Sequence, residues 1–168
     1  MRCLAVILLL LVLAGCGYHF AGHGNSLPGE VSRVYLPLFA NRTLKPQLEN
    51  LLSNEVGMAL ARNGNIIEVR SKELAEAVLQ GTVSSYATTA IAYDKNDDIS
   101  EYRAKLTIEV SLRSIADGRL LWQGTVAWSE DYLADNDKAR QRELERDAVE
   151  KLSRRIADEL LSRMLDDF

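Results

Sequence analysis

Side chains able to do covalent or acid–base chemistry are few in this chain, and their positions restrict its function. The only cysteines are Cys3 and Cys16, and the only histidines are His19 and His23. All four precede the stretch that is patterned like a folded body. A Ser-His-Asp relay needs a histidine on that body, and zinc needs closely spaced Cys or His ligands. The sequence offers neither, nor a Gly-rich phosphate loop. Carboxylates are plentiful, and Asp94, Asp97 and Asp98 crowd one turn. A calcium loop needs regularly spaced oxygen ligands and a distal glutamate, which this turn lacks, so it reads as a solvated turn. An enzyme would have to work with carboxylates alone. The expectation is therefore no enzyme, no metal and no cofactor.

Cys16 is the reactive residue that does sit in a pattern. Arg2 is followed by an apolar run from Cys3 to Leu13, then by Leu13-Ala14-Gly15-Cys16. A charged start, a short apolar run and small residues at a cut are the order of a secretory signal. The run falls well short of the roughly 20 residues needed to span a bilayer. The last four residues resemble the lipobox of bacterial lipoproteins. That resemblance implies a diacylglycerol on the Cys16 thiol, cleavage before it and acylation of the new amine. Residues 1–15 are then the signal peptide and residues 16–29 a lipidated tether. One acyl chain holds only marginally, whereas two or three anchor the chain to the membrane permanently. Position 17 is glycine, not the aspartate that retains many such proteins at the inner membrane, which implies the outer membrane. From Gly17 to Gly29 the tether reaches at most about 45 Å. Its Tyr18-His19-Phe20 either packs under the domain or docks on a partner.

Composition excludes other classes. Lys and Arg total 20 against 24 Asp and Glu, for a net charge of -4. No global basic field exists, so nucleic-acid binding is not expected, and an anionic ligand would need a local basic site. The chain is 47% hydrophobic and 26% charged, ordinary for a globular protein. With both cysteines used by signal and anchor, no disulfide is available. Residues 30–168 read as a single domain stabilised by packing.

The elements of that domain can be read in order. Val31 to Phe39 is the first strand, with Pro37 marking an edge or a bulge. Asn41-Arg42-Thr43 leads into a helix with Pro46 in its first turn. Leu44, Leu48, Leu51, Leu52, Val56, Ala59 and Leu60 form its apolar face, and Asn63-Gly64 stops it. Ile66 to Val69 is a short extended piece and Ser71 to Ala75 a turn of helix. A long strand follows over Ala77 to Ala92, parallel to the first across a βαβ crossover. After a polar turn at Tyr93 to Ile99, Tyr102, Ala104, Leu106, Ile108, Val110 and Leu112 alternate with polar residues on the next strand. Asp117-Gly118 turns the chain into a final strand whose apolar face is Leu120, Trp122, Val126 and Trp128. Matching the two faces puts Leu112 opposite Trp122, Leu106 opposite Trp128 and Tyr102 opposite Tyr132. That register favours a three-residue loop, Ala116-Asp117-Gly118, with Gly118 left-handed. Asp135, Asn136 and Asp137 offer caps for a last helix whose apolar stripe is Leu144, Ala148, Leu152, Ile156, Leu160 and Met164. On its charged face Glu150 and Arg154 have favourable spacing. The fold class is α+β. Two amphipathic helices pack on one face of a four-stranded mixed sheet, in the order β-α-β-β-β-α.

Three stretches together resemble the lipopolysaccharide-assembly lipoprotein family LptE. They are Cys16-Gly17-Tyr18-His19-Phe20, Leu38-Phe39-Ala40-Asn41-Arg42-Thr43 and Glu101-Tyr102-Arg103. The resemblance implies an outer-membrane lipoprotein that plugs and helps assemble the LptD β-barrel. It also implies binding of lipopolysaccharide during delivery to the outer leaflet, with the body in the barrel lumen. Lysine and arginine are the natural partners of its phosphates. The family's basic positions fall here on Lys95, in the turn before Glu101-Tyr102, and on Lys138, Arg140 and Arg142 near the start of the last helix. An alternative resemblance is to a periplasmic lipoprotein activator of a peptidoglycan synthase. Such proteins carry a long linker, whereas this tether is short.

Overall fold

The computed structural model of the protein describes residues 27–166. The signal, Cys16, both histidines and Tyr18-His19-Phe20 lie outside the described residues. Six strands and two helices follow a 3-10 turn at Pro28–Glu30: β1 (Arg33–Tyr35), β2 (Ala40–Asn41), α1 (Leu48–Asn63), β3 (Ile67–Val69), β4 (Ala77–Tyr93), β5 (Ile99–Ser114), β6 (Leu120–Leu133) and α2 (Lys138–Asp166). The sheet order is β3-β1-β4-β5-β6, with β2 also on β4. Both helices contribute to one buried cluster on one sheet face, through Leu52, Val56 and Leu60 of α1 and Leu152, Ile156 and Leu160 of α2.

The sheet has six strands instead of four, for two reasons. The short piece around Ile67 is not a free connector; it pairs in parallel with β1 and becomes the sheet edge. The first strand is split. Tyr35 pairs with Val78 and Ala40 with Thr82, so the first chain holds one extra residue between them. Pro37, which has no amide donor, lies inside that bulge. Strand β1 runs parallel to β4, as the βαβ crossover implied, and β4-β5-β6 form an antiparallel meander, an order the alternation had left open.

Helix α1 starts later than the periodicity suggested. Gln47 adopts a left-handed conformation, φ 69, and breaks the helical path, so Pro46 lies in the preceding turn. Leu44 consequently falls outside the core and is fully exposed. At the other end Gly64 is left-handed, φ 76, as its cap position requires.

The β5–β6 register matches the apolar faces: Leu112 lies opposite Trp122, Leu106 opposite Trp128 and Tyr102 opposite Tyr132. The turn is longer than three residues. Ser114 N donates to Arg119 O, enclosing Ile115 to Gly118, and Gly118 is left-handed at φ 70. A bulge at Leu121 then restores the pairing. It also reverses the faces around it: Leu121 packs on the core, while Leu120, expected inside, is exposed. Leu27, assigned to the tether by its sequence, is buried in the core.

Candidate functional site

Strand direction sorts the molecule into two ends. The described chain enters at Leu27, and Gly29 lies beside Leu121 at the start of β6. Sixteen residues of β5 then lead about 50 Å to the opposite end. There the β4–β5 turn carrying Lys95 and the N-terminus of α2 lie together, because Leu133 at the end of β6 pairs with Glu101 at the start of β5. Ala134 N also donates to Ser100 O. The four basic positions therefore share one rim.

The turn around Lys95 is built by Asp94. Its Oδ1 accepts from Asn96 N at 2.8 Å and Asp98 N at 3.1 Å, while Asp94 N donates to Asp98 O. Asp97 takes a left-handed φ of 63. Asp94 thus serves the turn's own backbone, and the exposed Lys95 has no ion pair among the described residues. On α2, Asp137 is the cap. Its Oδ1 accepts from Ala139 N at 2.7 Å and Arg140 N at 3.2 Å, which holds the Asp137 carboxyl below its ordinary range. Arg140 reaches Glu143 at 3.0 Å. Arg140, Arg142 and Arg146 line one open concavity together with Asp137 and Glu143. Lys95 and Lys138 do not line it. The rim is shared, but the four cations do not converge on one pocket.

Beneath the rim lies a polar cluster that sequence reading did not find. Glu145, two turns into α2, accepts from Lys45 Nζ at 2.7 Å and from the Tyr86 hydroxyl at 2.6 Å. Burial raises the Glu145 carboxyl pKa, but the hydrogen bonds from Lys45 and Tyr86 outweigh it, so the net shift is downward. Burial first, then the hydrogen bond to Glu145, pushes the Tyr86 hydroxyl far up. Burial and the Glu145 charge move Tyr132, stacked on Tyr102 at 5.6 Å, up to about 12. A bulge at Ser84 is what turns Tyr86 inward: the inner face of β4 is Ala77, Leu79 and Val83 before it and Tyr86 after it. The sequence holds no local signal for that reversal. Glu150, expected to pair with Arg154, instead faces Arg146 at 3.7 Å, and Arg154 approaches the buried Glu55 at 3.9 Å.

Among the described residues the opposite sheet face carries no helix. It displays Gln80, Thr82, Lys105, Glu109, Gln123 and Thr125, an exposed or half-exposed polar surface. Among the described residues no group of three or more potential metal ligands gathers, and no helix is long and apolar enough to cross a membrane.

Among the described residues, two helices lie on one face of a mixed sheet and none on the other, which defines the class: a two-layer α+β domain, a fold found in several solved lipoproteins. Similar solved structures include the rare lipoprotein B from Shewanella oneidensis, at 16% identity and TM-score 0.55, covering 79% of this chain and 93% of that one. An uncharacterized lipoprotein B from Nitrosomonas europaea matches at 12% identity and TM-score 0.61, covering 89% and 90%. A putative lipoprotein from Caulobacter crescentus matches at 14% and 0.54, covering 77% and 88%. At these identities the likeness is one of fold. No curated protein matches the chain in sequence. The LptE family model, described as lipopolysaccharide-assembly, matches residues 31–164, and the chain belongs to that family. Membership gives it a role in lipopolysaccharide assembly as an outer-membrane lipoprotein, a role that is not enzymatic.

Proposed function

We propose that the chain is the lipid-anchored plug of an LptD-type outer-membrane β-barrel. In this reading Cys16 carries the lipid, the body stands in the barrel lumen, and the basic rim meets the phosphates of lipopolysaccharide during its delivery to the outer leaflet. The observation that carries the reading is the opposition of the two ends. The chain enters at Leu27, and Lys95, Lys138, Arg140 and Arg142 lie about 50 Å away along the sheet. A domain tethered at the inner side of the membrane and standing upright carries its cations toward the far leaflet. The bare polar face of β4-β5-β6 supports the same reading, because a barrel lumen is polar. Lipopolysaccharide phosphates favour arginine and lysine, and among the described residues Lys95 has no ion pair and Arg140 pairs with the exposed Glu143 alone.

Two measurements test it. A C-terminal tag, mild detergent and affinity recovery should bring down a near-equimolar large β-barrel; a peptidoglycan synthase in its place would overturn the plug. Combined Lys95→Glu and Arg140→Glu substitutions should weaken lipopolysaccharide binding to the purified protein. Unchanged binding would remove the rim from the account and leave the plug standing.

A further inference from the structure

The distal half of β4 is an open sheet edge, and its chemistry specifies what it takes. Strand β2 pairs with β4 only at Thr82 and Val83, and Arg42 N donates to Val83 O as the last bond of that pairing. Asn41 then turns the chain away. Its Oδ1 accepts from Thr43 N and the Thr43 hydroxyl, and its Nδ2 donates to Lys45 O and Glu49. Among the described residues, β4 from Ser85 onward has β5 on one side and no strand on the other. Bulges at Ser84 and Ile91 bound a regular run of six residues, Ser85 to Ala90, paired with Thr107 to Tyr102. That run is about 20 Å long.

The other two edges are closed or short. Strand β3 has three residues. On β6, Arg163 caps Thr125 O, Arg155 lies over Trp128, and Glu130 and Asp131 add charge. Charge of that kind is how sheets prevent edge-to-edge pairing. Between Ala77 and Tyr93 there is no charged side chain and no proline. Ala87, Thr88 and Thr89 are exposed, and the fully exposed Leu44 stands next to Lys45, which lies over the Tyr86 ring.

We propose that Ser85 to Ala90 of β4 is a β-augmentation site that takes an extended segment of about six residues from the barrel partner. Charge complementarity picks the occupant. A charged residue at the centre of that segment would lose its hydration with no counter-charge on β4, so the segment is uncharged there. At its end beside Val83 it meets Arg42, an exposed cation without an ion pair among the described residues, and an acidic residue fits that place. Leu44 offers an apolar contact to the segment's side chain.

The inference rests on the barrel reading above, and the test separates the two. Full-length lipidated protein is expressed in its own outer membrane with a photo-crosslinking residue at Thr88, and in a control at Thr125. Thr88 should capture an extended, uncharged segment of the barrel, while Thr125 should not. Paired Ala87→Lys and Thr89→Lys substitutions, both at exposed positions, should lower barrel recovery about tenfold. If the wild type recovers the barrel and the lysine variant recovers as much, the edge is not the contact and the plug stands. Capture from Thr88 of only lipopolysaccharide or a second copy of this chain overturns the inference in the same way. Absence of any barrel from the wild type overturns both readings. Should the lysine variant fail to fold by circular dichroism, the Thr88 capture in the otherwise native chain decides.

Discussion

Removing Glu145 tests whether the polar cluster holds the rim. Glu145→Ala deletes the acceptor that Lys45 reaches at 2.7 Å and Tyr86 at 2.6 Å, joining the segment before α1, strand β4 and helix α2. Hydrogen bonds to a charged group contribute about 1.5–3 kcal/mol each when sheltered. Here the Lys45 and Glu145 side chains are 33% and 23% exposed, so water replaces part of that. The expected loss is about 2 kcal/mol for the pair of bonds, with the Tyr86 hydroxyl left half-buried and unsatisfied. In a domain of this size that lowers Tm by about 4–8 °C, measurable by circular dichroism. A double-mutant cycle with Lys45→Met should return a coupling near ~1 kcal/mol. The pH dependence follows from the downward shift of Glu145. Its ordinary value is 4.5 and its folded value lies below that. Its contribution is complete above 4.5 and is lost as the pH falls through the folded value. The parent should therefore destabilise more steeply than Glu145→Ala below that point. A Tm within about 1 °C of the parent, or parallel acid profiles, would refute the reasoning.

Other substitutions probe separate devices. Gly81→Ala drives a methyl group into the ring of the buried Phe39, since a Cβ there meets the Phe39 ring; an overpacking loss of about 1–3 kcal/mol should appear in denaturant unfolding. Asp137→Ala removes the cap that accepts from Ala139 N and Arg140 N; a loss of about 1 kcal/mol and earlier hydrogen exchange in the first turn of α2 are expected. Glu55 is 6% exposed, has an Oε2 without a hydrogen bond and has only Arg154 at 3.9 Å; Glu55→Met should leave stability unchanged or raise it by about 1 kcal/mol, and a clear loss of Tm would count against the reading.

Local signals and long-range choices divide this protein cleanly. Alternation along β5 and β6 determined the register, because slipping one residue would move Leu106, Ile108 and Leu112 into water. Asp137 and Gly64 were legible as caps, since a helix end must satisfy its own nearby backbone groups. The lipobox-like stretch at Cys16 and the scarcity of catalytic side chains are likewise properties of the sequence alone. The strand status of Ile67–Val69 was not legible, because three residues carry too little pattern and their pairing with β1 comes from 34 positions earlier in the chain. Nor were the bulges at Ser84 and Leu121: each inserts a single residue to fit neighbouring strands, and each reverses which side chains face inward. From them follow the inward Tyr86 that meets Glu145 and the exposed Leu120. The basic residues were legible as candidates, but their shared rim came from the antiparallel meander, and their failure to converge on one pocket came from the positions of the turns. The open edge of β4 belongs to tertiary structure too. Its uncharged composition is written in the chain, but that no strand of the described residues lies beside it depends on where Asn41 turns β2 away.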